Sequence, residues 1–135
     1  MSIAAIRAAL ETALASITPS LATAYENQAF TPPAADQPYQ RVLLRPAKPV
    51  NDEVGDRYTE VGVLQVALYY PAEAGANGVD GRIGLLRQTF ARGAAFTASG
   101  VVVTVSDVAE TIPGLVEEGR WSVTVRIPYW AHVTP

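Results

Sequence analysis

The run Arg57–Tyr70 constrains the fold more than any other stretch of the chain. At the two-residue period of a strand it places Gly62, Leu64, Val66, Leu68 and Tyr70 on one face. Val61, Val63, Gln65, Ala67 and Tyr69 fall on the other. Both faces are largely apolar. Such a strand lies centrally in a sheet and is covered on both sides, or it has one side covered by a neighbouring subunit. Pro71 ends it.

The remaining segments supply partners and cover for this strand. Ile3, Ile6, Leu10, Leu14 and Ile17 recur at helical spacing and give an opening amphipathic helix, with Ser2 as a candidate N-cap and Pro19 as its stop. The stretch Leu21–Gln37 reads as irregular, because Pro32, Pro33 and Pro38 interrupt any regular element. Its aromatics, Tyr25 and Phe30, together with Tyr39, are expected to pin it to the domain. Tyr39–Arg45 reads as a strand ended by Pro46, and Ala47–Asp56 as an exposed, mobile connection. After the small-residue loop Pro71–Gly78, Val79, Ile83, Leu86 and Phe90 mark a second helix, capped by Asn77 or Asp80 and closed near Gly93. Gly81 and Gly84 inside it point either to a frayed or bent start or to close approach of the helix to the sheet. Phe96–Ala98 and Val101–Val108 flank Ser99-Gly100, a two-residue hairpin signal. Thr111–Gly119 reads as a turn-rich connection. Arg120–Tyr129 is the last strand, with Trp121, Val123, Val125 and Ile127 on its apolar face and Pro128 marking an edge or an end of pairing. The expected fold is α+β, a mostly antiparallel sheet with two helices packed on it, in the order α-β-β-α-β-β-β. One domain over residues 1–135 suits this length.

Composition narrows the function. Apolar residues make up 49% and charged residues 17%, enough to build a core and too few charges for a disordered chain. No apolar run reaches the ~18 residues of a membrane span. The N-terminus lacks a basic region followed by a long apolar stretch, so no signal peptide is expected. The absence of cysteine rules out disulfides, thiolate metal sites and cysteine nucleophiles. A net charge of −3 with scattered basic residues argues against a DNA-coating role. Arginine strongly outnumbers lysine among those bases, and arginine is favoured at protein interfaces.

Catalytic chemistry has little to draw on. His132 is the sole histidine, sits near the chain end and is expected to be exposed, with no carboxylate nearby to orient it as a catalytic base. Asp52, Glu53 and Asp56, like Glu117 and Glu118, are close in sequence but lack the spacing of a calcium loop. Gly75-Ala76-Asn77-Gly78 precedes a helix, yet it lacks both the Lys-Ser/Thr ending of a P-loop and the spaced glycines of a dinucleotide fingerprint. No enzymatic activity, metal or cofactor is expected.

Four features in order resemble the phage tail terminator, or tail-completion, proteins of long-tailed phages and prophages. They are the opening helix followed by Tyr25-Glu26-Asn27-Gln28-Ala29-Phe30-Thr31-Pro32; Pro38-Tyr39 leading into a strand; Gly62–Pro71 followed by a Gly-rich turn and a helix ending near Phe90; and Gly119–Val125 closing with Ile127-Pro128-Tyr129. The resemblance implies a structural virion protein with no catalytic residues. It implies a ring, usually hexameric, that caps the tail tube, ends tube polymerisation and presents a surface to the head. The implied partners are copies of itself, the tail tube protein and the head-side connector, with no membrane and no sequence-specific nucleic acid. Assembly in the host cytoplasm and residence in the virion tail follow. Another neck or head–tail joining protein is the alternative, and a small-ligand-binding α+β domain is a more distant one.

A closed ring needs two different complementary patches per subunit. The sequence candidates for contact with a neighbour or the tube are Arg41, Arg45, Asp52, Glu53, Arg57, Tyr69, Glu117, Glu118 and Arg120, with Glu117 and Glu118 expected to face arginines across a subunit boundary.

Overall fold

A computed structural model of the protein describes residues 2–51 and 55–134. Its elements run α1 (Ser2–Ala15), β1 (Ala22–Ala24), β2 (Tyr39–Pro46), β3 (Tyr58–Pro71), α2 (Asn77–Thr89), β4 (Ala95–Ala98), β5 (Val101–Val105), β6 (Glu110–Glu117) and β7 (Arg120–Val133). The strands form one seven-stranded sheet in the order β1-β2-β3-β7-β5-β4, with β6 also paired to β7. Among the described residues only the β1–β2 pairing is parallel. The α+β architecture with two helices on a mostly antiparallel sheet is as the sequence predicts.

The frame is the β3–β7 ladder, which runs in register from Tyr58↔Val133 to Pro71↔Arg120. On its inner face Leu64 meets Ile127, Val66 meets Val125 and Leu68 meets Val123. All six are buried, and the helices cover them with Ile6, Leu10, Leu14, Val79, Leu86 and Phe90. Each such side chain contributes roughly 1.5–3 kcal/mol on burial. The opposite face of β3, Val61 through Tyr69, stays half-exposed. The chain's own helices therefore cover only one of the two apolar faces.

Two strands go beyond the sequence expectation. β1 lies in the stretch read as irregular. Three residues are too few to show an alternation, and β1 exists only because Ala22–Ala24 pair with Tyr39–Arg41. β6 lies in the stretch read as a connection. Its Pro113 and Gly114 are accommodated by a register shift between Ile112 and Leu115, where a missing N–H costs no ladder bond. Glu118 and Gly119 then form a two-residue turn with φ of 52° and 75°, the geometry of a tight hairpin. Ser99-Gly100 forms the expected hairpin in the same way, at 50° and 78°. Pro128 does not end β7. It falls between the stretch paired with β6 and the stretch paired with β5, and its carbonyl accepts from the Ser106 N–H at 3.0 Å. The missing N–H thus points into a gap between two neighbours.

The helix ends also differ in detail. Ser2 lies inside α1, and its hydroxyl meets the Tyr58 hydroxyl at 3.3 Å. Ala76 occupies the N-cap of α2 without a side-chain hydrogen bond, while Asp80 sits in the first turn, where the helix dipole favours it. Gly81 and Gly84 face open space, so they do not serve close packing. Gly78 does: a Cβ there would lie 3.3 Å from the Tyr70 ring.

Polar side chains tie the helices and loops to the sheet. Glu26 accepts from Arg7 of α1 at 2.7 Å and from the Leu44 N–H of β2 at 2.6 Å. Burial alone would raise its pKa, but these two hydrogen bonds outweigh that and hold it below the ordinary carboxylate range. Arg82 of α2 is buried and donates to the Pro19 carbonyl.

Two tests follow from this packing. A Cβ at Gly62 would lie 2.5 Å from the Tyr129 Oη and 2.6 Å from the Arg45 carbonyl oxygen. Gly62→Ala should therefore destabilise by about 1–3 kcal/mol, whereas Gly81→Ala should stabilise by about 0.5–1 kcal/mol. Urea midpoints should move in opposite directions. Glu26→Gln should cost about 1 kcal/mol at neutral pH. Because the folded pKa of Glu26 is depressed, this wild-type advantage is full above ~4.3, the ordinary carboxylate pKa. It fades as the pH falls through the lower folded value, which paired denaturation curves across that range will measure.

Candidate functional site

The open face of the sheet follows from the alternation of three long strands. Arg41, Leu43 and Arg45 come from β2, Val61, Val63, Gln65, Ala67 and Tyr69 from β3, and Ser122, Thr124, Arg126, Pro128 and Trp130 from β7. Glu110, Ile112, Leu115 and Glu117 of β6 continue it, since they pair with Arg126, Thr124, Ser122 and Arg120. The helices do not cover this face, and its apolar side chains on β3 are half-exposed.

One corner is roofed by the chain itself. Tyr39 and Tyr69 stack at 4.6 Å with their rings 8° apart, and Phe30 packs on Tyr39 at 5.3 Å. Arg120 lies over the Tyr39 ring at 4.8 Å. Its guanidinium donates to the carbonyls of Gln37 and Pro33 at 2.6 Å and of Ala34 at 3.1 Å. The aromatics do pin the proline-rich segment, as the sequence suggests, but the arginine that locks it comes from 80-odd positions away and was invisible as a partner. Burial raises the Tyr69 phenol pKa, and the Glu117 carboxylate and Tyr39 raise it further.

The sequence candidates separate into groups. Arg41 and Arg45 are exposed on β2, at one lateral margin of the open face. Glu117 and Glu118 are exposed at the end of β6 and in its turn, at the other margin. Tyr69 lies between the two margins. Arg120 is 7% exposed and engaged by its own chain. Arg57 is exposed just before β3. Asp52 and Glu53 lie outside the described residues. The sequence reading missed Ile112 and Leu115, which are 40% and 56% exposed on this face of β6, and Val116, 64% exposed on its other side. Apolar residues within a Pro-Gly stretch gave no alternation to read.

The face also carries polar and charged side chains. Glu110 pairs with Arg126 at 3.5 Å near its middle. His132 is exposed, as expected, but sits in β7 rather than at a frayed end, with its Nδ1 3.0 Å from the Thr59 hydroxyl. Among the described residues no three His, Asp or Glu side chains converge to hold a metal, and no helix is long and apolar enough to cross a membrane.

Arg120→Ala removes three hydrogen bonds to carbonyls of the proline-rich segment and should cost about 1–2 kcal/mol. Arg120→Lys should recover little of this, because a single ammonium cannot reproduce the planar fork stacked on Tyr39. Denaturation midpoints, together with faster proteolysis between residues 28 and 38, will check the effect.

Comparison with known proteins agrees with the fold and the resemblance. A family model described as phage tail terminator protein matches residues 5–129. A solved structure superposes with a TM-score of 0.77 at 27% identity, covering 96% of this chain and 95% of the other. No curated protein matches.

Proposed function

We propose, from the premise that this chain belongs to the phage tail terminator protein family, that it forms a closed ring on the end of the tail tube. It is a structural component of a phage tail. In the proposed role the ring, six copies by family resemblance, halts addition of tube protein and presents its far side to the head-side connector. Copies come together in the host cytoplasm and remain in the virion tail. The observation that carries this reading is the half-exposed apolar face of β3 and its neighbours, extended by the exposed Ile112 and Leu115 of β6. An isolated chain leaves that surface wet, and contact with copies of itself and with tube protein would cover it.

Phage particles made without this protein should carry abnormally long tails in electron micrographs. Tails of normal length would discard the terminator role and favour a different joining function at the neck.

A further inference from the structure

The two lateral margins of the open face differ in charge. Arg41 and Arg45 flank Leu43 on β2, and Glu117 and Glu118 follow Leu115 at the β6–β7 turn. None of these four charged groups forms an ion pair with a described residue of its own chain. Three strand spacings, about 14 Å, separate the two margins. Among the described residues of this face, one Arg–Glu pair is already closed, between Arg126 of β7 and Glu110 of β6. The unpaired acids and the unpaired bases therefore lie on opposite sides of the same sheet.

Both margins are also blocked against simple strand addition. On β2, Tyr39–Arg41 are paired with β1, and the Leu44 N–H is taken by Glu26. On β6, Pro113 lacks a donor, and the irregularity between Ile112 and Leu115 breaks the edge. What remains available at each margin is its side chains. At the β6 margin these include Leu115, 56% exposed.

We infer that the β6 margin of one copy, through Leu115, Glu117 and Glu118, docks on the β2 margin of the next copy, through Arg41, Leu43 and Arg45. The inference rests on the proposed ring and specifies its contact. Charge selects a head-to-tail arrangement. A two-fold contact between β6 margins would set Glu117 and Glu118 against their own copies, and one between β2 margins would set arginine against arginine. The head-to-tail contact instead joins each apolar side chain to another and each acid to a base. Because the two patches differ, the contact repeats from copy to copy and can close into a ring.

The absence of cysteine makes the test direct. Leu115→Cys and Leu43→Cys variants are mixed and oxidised, both as concentrated purified protein and in tails assembled from the mixture. The expected result is a disulfide between positions 43 and 115 at least about tenfold above either like-with-like pair, and above a control pairing of Leu115→Cys with Ala91→Cys. The double variant should give a covalent ladder of oligomers. Reversing Glu117 and Glu118 to Arg should lower the 43–115 yield about tenfold, and reversing Arg41 and Arg45 to Glu in the partner copy should restore it. Thermal melts of these surface variants confirm that folding is intact. Dominant like-with-like disulfides, failure of the charge swap to restore the yield, or no 43–115 disulfide in either protein or tails would overturn the inference. A disulfide-free result with long tails in particles lacking the protein would leave the terminator role standing and remove only this docking. A 43–115 disulfide with normal tails would do the reverse.

Discussion

The in-register pairing of β3 with β7 is the interaction on which the rest of the molecule depends. These are the longest strands, and every other strand but β1 and β4 pairs directly with one of them. β1 and β4 reach them through β2 and β5. Register is strongly specified here because a shift of one residue would turn Leu64, Val66 and Leu68 away from the helices. Once that ladder is set, its inner face dictates where α1 and α2 lie, and its outer face is left without a helix.

A small number of polar contacts then fix what packing alone leaves loose. Glu26 connects α1 to the edge of β2, Arg82 connects α2 to the turn at Pro19, and Arg120 gathers three carbonyls of the proline-rich segment over Tyr39. Each joins regions far apart in sequence. Charged side chains suit this work because hydrogen bonds to a charged group are stronger than neutral ones, and a long side chain can reach a carbonyl or N–H across a gap. Glu26 does a second thing. By occupying the Leu44 N–H it closes part of a sheet edge that would otherwise invite another strand.

The proposed contact surface is the remainder after this construction. One sheet face and its two margins carry apolar side chains and unpaired charge, and the sheet edges beside them are short, bulged or capped. A tail protein built this way can meet neighbours by side-chain contact while avoiding open-ended strand pairing, which suits the proposed role of ending a polymer rather than extending one.

The sequence by itself determined the two helices, the long strands, the Ser99-Gly100 hairpin and the two-sided apolar character of Arg57–Tyr70. Those features follow from local periodicity and from turn residues, which act over a few positions. It also carried enough of the motif order around Tyr25–Pro32, Gly62–Pro71 and Gly119–Tyr129 to indicate the family. Only the tertiary structure decided that Ala22–Ala24 is a strand, that Pro113 and Gly114 sit within one, and that Arg120 is engaged internally while Arg41 and Arg45 are not. The reason is that each of these depends on a partner distant in the chain. The assignment of one apolar face of β3 to the core and the other to the surface is of the same kind. Alternation shows that two faces exist, but only the placement of the helices shows which one is left uncovered.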